Sequence, residues 1–149
     1  MEEGDPTNRQ MTELLQELRI ALPGVQFLFA FLLTVPFAAR FEDVTSFQRT
    51  TYFVALLAAA LSAVFLIAVP ATHRLRFQQH DREYIISTAN GYLIAGLALL
   101  AIGIVAALVC LTDFVYGGAG TWIWPAIVAI PLVGLWFVRP LLRRGSSGP

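Results

Sequence analysis

From Ile20 to Ala39 the chain runs for twenty residues without a formal charge. At about 1.5 Å per residue a helix of that length spans ~30 Å, the thickness of a bilayer's hydrocarbon core. Three more uncharged stretches follow: nineteen residues from Thr51 to Val69, twenty from Tyr92 to Leu111, and eighteen from Thr121 to Val138. Of the whole chain 57% is hydrophobic and 13% charged, about half the charged share of a soluble domain. One soluble core of this size cannot hide so much apolar surface, whereas a membrane protein need not hide it. The pattern predicts an all-α, integral membrane four-helix bundle with an N-terminal amphipathic interfacial helix. The expected spans are residues 23–39, 51–69, 85–111 and 121–138, within a single membrane domain over 9–144. Residues 1–8 and 145–149 read as polar tails.

The amphipathic segment covers residues 9–22. Met11, Leu14, Leu15, Leu18 and Leu22 share one face and Arg9, Gln10, Glu13, Gln16 and Glu17 the other, which is helical spacing. It reads as a helix docked on the lipid surface or on the end of the bundle, or as a partner-binding helix. Its acidic polar face disfavours an anionic-lipid sensor. Pro23-Gly24 then predicts a bend, because proline removes a backbone donor and crowds the preceding turn. The acidic segment ahead of the first span is unlike a short positive signal region, so that span reads as an uncleaved anchor.

Thr45 and Gln48 have capping-box spacing, which starts the second helix near Ser46. In the second span Ala55, Ala59 and Ala63 lie on one ridge, with Ala58 and Ser62 beside it. In the third, Ala89, Gly96, Gly103 and Cys110 recur every seven residues, joined by Ala107. Small residues at such spacing let helix backbones approach closely in lipid. Pro70 marks an end or a kink of the second span, and Pro131 predicts a kink in the fourth. DFVYGGAG, residues 113–120, reads as a tight turn.

Four spans place both termini on one side. Arg9, Arg19, Arg74, Arg76, Arg82, Arg139, Arg143 and Arg144 fall on that side, against Arg40 and Arg49 on the other. Positive charge favours the cytoplasmic face, so both termini are expected in the cytoplasm, in the plasma membrane. Tyr52, Tyr116, Trp122 and Trp124 are expected at the outer interface, and Tyr84, Tyr92 and Trp136 at the inner one.

An ionisable group deep in a span is the strongest sign of transport chemistry, and the four cores contain none. Asp113, at a span end, reads as an outer gate or cation contact, or more plainly as a solvated helix end. Glu17 and Arg19 could latch onto Arg74, Arg76 or the C-terminal arginines. His73 and His80, with Asp81 and Glu83, match no standard metal-ligand spacing, and no cofactor is expected. Gln26 and Asn90 are expected to make interhelical hydrogen bonds. Cys110 has no second cysteine to pair with and reads as a small packed hydrophobe. No nucleophile–base set or phosphate-binding loop is visible, and no basic run suits a nucleic acid.

ELLQELR at 13–19, GVQ at 24–26, FAFLL at 29–33, ARF at 39–41, FQR at 47–49 and HR at 73–74 resemble a family of small four-helix actinobacterial membrane proteins of unknown function. The resemblance covers residues 11–144 and implies an integral membrane protein without an assigned activity. Some members carry a sodium:proton antiporter label, which the missing intramembrane acid does not favour here. The expectation is therefore a non-enzymatic structural, accessory or regulatory subunit, whose partners are the lipid bilayer and a second copy or another membrane protein. The alternative is a small oligomeric transporter or channel, with Gln26, Thr34 or Asn90 lining its cavity.

Overall fold

The computed structural model describes residues 6–38, 41–76 and 82–138. Its elements are helices: α1 (Pro6–Thr34), α2 (Ser46–Arg76), α3 (Arg82–Val115) and α4 (Gly120–Val133). Two single 3-10 turns, Val35–Phe37 and Phe41–Asp43, join α1 to α2, and a π-helical turn, Gly134–Val138, extends α4. Segments of all four helices, Leu15–Phe37, Ser46–Ala71, Thr88–Val115 and Gly120–Val138, are long and apolar enough to cross a membrane. The chain is a multi-pass helical membrane protein.

The first helix departs from the expected plan. It runs unbroken through Pro23, so the amphipathic segment and the first span are one helix of ~43 Å. Leu18, Val25 and Leu32, spaced by seven, are its buried stripe. Leu18 and Val25 share one core cluster with Leu66 and Val69 of α2 and Ala89, Leu93 and Leu100 of α3. A break at Pro23 would take Leu18 out of register with Val25. Keeping the stripe continuous outweighs one lost backbone hydrogen bond on an exposed surface, and spanning helices tolerate proline on such terms. Leu18 and Leu22 of the amphipathic face thus pack on the bundle.

Helix α2 likewise continues through Pro70 to Arg76, drawing part of the polar connection at 71–83 into helix. In α4 both prolines lie within the helix, and the winding changes from α to π at Gly134, three residues past Pro131.

Helices α2 and α3 form the core pair. In the most apolar eighteen-residue stretch of each, 39% and 33% of the residues are buried, against 11% in α1 and in α4. The pairing comes from small residues. A Cβ at Gly103 would meet the Ala55 carbonyl oxygen and the Ala59 nitrogen at 3.4 Å, and one at Gly96 would meet Leu66 at 2.7 Å. The Ser62 hydroxyl donates to the Gly96 carbonyl at 2.7 Å, fully buried. Ala63 borders the lower cluster, while Ala107 and Cys110 border an upper one built on Leu32, Tyr52, Ala55 and Ala59. Such close approach supplies the dispersion and hydrogen bonding that hold helices together where lipid removes any hydrophobic drive.

The α3–α4 turn is closed by glycine. Gly117 and Gly118 have φ of 62° and 56°, the left-handed region that glycine enters without steric cost. The Gly117 N–H reaches the Thr112 and Asp113 carbonyls at 3.3 and 3.1 Å, capping α3 in the manner of helices that end on a left-handed glycine.

Candidate functional site: a polar clamp and an apolar groove

The chemistry-bearing side chains gather where the α1–α2 and α3–α4 turns meet. The starting point is local. The Gln48 backbone N–H donates to Thr45 Oγ1 at 3.2 Å, and the Thr45 N–H donates to Gln48 Oε1 at 3.1 Å. This reciprocal pair satisfies donors that the first turn of α2 leaves open. It also fixes the amide's orientation, because its oxygen is committed to Thr45 and its nitrogen must face the other way.

That nitrogen, Nε2, donates to Asp113 Oδ2 at 2.9 Å, and the Thr121 hydroxyl donates to Asp113 Oδ1 at 2.7 Å. One carboxylate therefore joins the start of α2, the end of α3 and the start of α4. Gln48 is 7% exposed and Thr121 2%, while Asp113 is half-buried. Hydrogen bonds to a carboxylate are about twice as strong as neutral ones, and here they replace water that has little access. Asp113 is neither a simple solvated helix end nor a bare outer gate. Both its oxygens have protein donors.

Two more hydroxyls lie beside carbonyls that proline leaves without a donor. Pro36 has no N–H for the Leu32 carbonyl four residues before it, and Tyr52 Oη donates to that oxygen at 2.8 Å. Tyr52 is 2% exposed, with its ring edge-on to Phe41 at 5.4 Å. It is a buried tie between α2 and α1. Pro125 similarly offers nothing to the Thr121 carbonyl, and Thr112 Oγ1 lies 3.2 Å from that oxygen and 2.8 Å from the Leu108 carbonyl. The Cys110 thiol is directed at the Gln48 carbonyl at 3.4 Å.

Beside this network a groove of about 550 Å³ opens between α1 and α3, with α2 as its floor. Leu28, Phe31 and Val35 form one wall and Ile104, Leu108 and Leu111 the other. Gln48, Tyr52 and Cys110 also line it, but their polar atoms already have protein partners. Its surface is chemically suited to an apolar chain rather than to an ion or a sugar.

The other candidate residues are scattered. Glu17 and Arg19 are exposed on α1. Among the described residues α1 forms an ion pair between Arg9 and Glu13 at 3.3 Å. Expectations for His73, Arg74, Arg76, His80, Asp81 and Glu83, including the proposed latch, lie outside the described side chains. Gln26 and Asn90 depart from expectation, since neither makes a hydrogen bond with another described residue. Thr34 Oγ1 bonds its own helix, to the Phe31 carbonyl at 2.7 Å. Gln26 is exposed on the outer face of α1 and does not line the groove. Among the described residues no three His, Cys, Asp or Glu side chains group to hold a metal.

Sequence reasoning reached Thr45 and Gln48 through the capping box but missed Gln48 as a ligand of Asp113, 65 residues away. It also missed Thr112 and Thr121. Their one legible signal is Pro125, which announces an unpaired carbonyl without saying which hydroxyl meets it.

No curated protein and no solved structure matches the chain. A family model does match, over residues 2–140, taking in the four spans and every residue of the clamp. The chain belongs to that family, a family of unknown function (DUF6328).

Proposed function

We propose that the protein is a non-enzymatic accessory or regulatory subunit of the plasma membrane, acting by lateral association within the bilayer. The observation that carries this reading is the uneven burial of the four spans. A tight α2–α3 pair carries α1 and α4, each of which has only 11% of its most apolar eighteen-residue stretch buried. Phe27 and Phe31 of α1 and Trp122, Ile127 and Ile130 of α4 are among the large side chains left outward. Lipid accepts such faces, and so does a partner helix. The asymmetry of arginines, eight against two, supports cytoplasmic termini.

The polar groups of the clamp favour the same reading. Carboxylate, amide, hydroxyls and thiol are engaged with one another, which suits a structural fastening better than a reaction centre. A transport role is less favoured because none of Gln26, Thr34 and Asn90 lines the groove beside the clamp, and that groove is apolar. The deciding experiment is purification of the tagged full chain from its native membrane in mild detergent, with ion flux measured in proteoliposomes. A membrane protein recovered in fixed ratio with it, and no flux, is the expected result. A chain that purifies without any partner and conducts ions, with flux abolished by Gln26→Leu, overturns the proposal.

A further inference from the structure

The groove beside the clamp occupies one half of the membrane-spanning bundle. Its wall on α1 and the 3-10 turn that follows reaches from Leu28 to Ala38, the second half of the uncharged run 20–39. Its wall on α3 reaches from Ile104 to Phe114, at the far end of the uncharged run 92–111. On α2 it meets Gln48 and Tyr52, at the start of the run 51–69. All three helices therefore place it at the turn end. Each wall is ~15 Å long by helical rise, and half of a hydrocarbon core of ~30 Å is one leaflet. In the other half, α1 packs against α2 and α3 through buried Leu18 and Val25.

The dimensions narrow the choice of occupant. A volume of about 550 Å³ spread over ~15 Å leaves a channel ~7 Å across, whereas an α-helix with its side chains needs about 10–12 Å. A partner helix can cover the groove but cannot enter it. No polar group in it awaits a ligand, since Gln48, Tyr52 and Cys110 have protein partners. The charges near its turn end balance, Glu42 and Asp43 against Arg40 and Arg49, so none is left over to recruit a charged ligand. Its rim is continuous with the lipid-facing surface, because Phe31 and Leu111 line it and are also exposed. An apolar slot left empty there would forfeit the dispersion contacts of its walls.

We propose that the groove holds one acyl chain of a bilayer phospholipid, which enters from the leaflet at the turn end and lies lengthwise on α2 between α1 and α3. Such a chain is apolar and narrow, and it reaches from the headgroups to the midplane, the depth that the groove covers. It is already present at that depth on the groove's open side. Contact on three sides sets it apart from the lipid around the bundle. A chain held there leaves the outer faces of α1 and α4 open, so the inference does not depend on the lateral-association reading.

The test uses the purified full chain in nanodiscs of phosphatidylcholine that contain a trace of the same lipid with a photoactivatable diazirine in one acyl chain. Labelled positions are mapped by mass spectrometry after irradiation. Leu28 and Leu108, inside the groove, are expected to be labelled more than Phe27 and Ile102, exposed on the same two helices outside it. Ala38→Trp, which fills one end of the groove, should abolish that excess and leave Phe27 and Ile102 labelled as before. Ala107→Leu narrows the groove from α3 and should do the same. Ala30→Trp, exposed on α1 outside the groove, should leave the whole pattern unchanged. Unaltered labelling of Phe27 and Ile102, with unaltered helical circular dichroism, shows that a variant is folded. Labelling of Leu28 and Leu108 no greater than that of the outer pair overturns the inference, and lower labelling would show that protein fills the groove instead. An excess that survives both Ala38→Trp and Ala107→Leu overturns it as well.

Discussion

Three glycines of α3 offer an internally controlled test of the α2–α3 contact. A methyl group at Gly91 would meet nothing within 4 Å. At Gly103 it would touch the Ala55 carbonyl oxygen and Ala59 nitrogen at 3.4 Å, ordinary contact. At Gly96 it would overlap Leu66 Cγ and Cδ2 at 2.7 Å. Leu66 is fully buried, so its side chain has no free space to swing into, and Cγ is too near the backbone to move alone. Each Gly→Ala substitution gains about 1 kcal/mol of helix propensity. That gain is common to the three and cancels between them, leaving the overlap.

Overpacking of a close-packed contact costs ~1–3 kcal/mol, so Gly96→Ala should be less stable than Gly91→Ala by that amount, with Gly103→Ala between them. Reversible unfolding in mixed micelles, followed by the fluorescence of Trp122, Trp124 and Trp136, measures the differences. A double-mutant cycle sharpens the test. Leu66→Ala alone opens a cavity at a cost of ~2–5 kcal/mol, but combined with Gly96→Ala it makes room for the new methyl. The pair should be more stable than the sum of the singles by at least ~1 kcal/mol. Equal stability of Gly96→Ala and Gly91→Ala, or strict additivity in the cycle, would refute the packing argument.

Two further predictions concern the clamp. Gln48→Glu keeps the oxygen that caps Thr45 but sets a second carboxylate where the 2.9 Å donor to Asp113 stood. It should destabilise the fold by ~1–3 kcal/mol at neutral pH. An unfolding free energy unchanged by Gln48→Glu would show that the two groups do not meet. Tyr52→Phe removes the donor to the Leu32 carbonyl and should cost ~1–3 kcal/mol, whereas Tyr116→Phe, exposed in the α3–α4 turn, should cost almost nothing in the same unfolding assay.

The spans were legible because a charge-free run of twenty residues has few other physical explanations. The start of α2 was legible because Thr45 and Gln48 act on each other across three residues. The small faces of α2 and α3 were legible because periodicity reports which residues share a ridge. What periodicity cannot report is which ridge meets which, or which distant side chain completes a group. Asp113 reads alike whether it is solvated or clamped, since its partners are 65 and 8 residues away. The continuity of α1 through Pro23 was missed for a related reason. Local chemistry argues for a bend there, and only the seven-residue stripe of Leu18, Val25 and Leu32, set against α2 and α3, argues for continuation.

Proline has a second consequence in this bundle. Pro36 and Pro125 each withdraw a backbone donor from a carbonyl close to the same end of the molecule, and an orphaned carbonyl in a low-dielectric setting is a strong acceptor. Tyr52 meets the first and Thr112 approaches the second, each from the neighbouring helix. A feature that weakens one helix thereby becomes a bond between two at Leu32, where α1 is tied to α2, while at Thr121 the Thr112 hydroxyl lies near the carbonyl but closer to that of Leu108 in its own helix. Asp113 adds the link from α2 to α3 and α4, so the turn end is fastened all round. Farther along, Ser62 ties α2 to α3 alone. Below Tyr52, α1 is held to the bundle by apolar packing of Leu18 and Val25, and Gln26 is left on its outer face. The outer surface of the span of α1 can therefore take up a partner without disturbing the clamp or the Tyr52 tie.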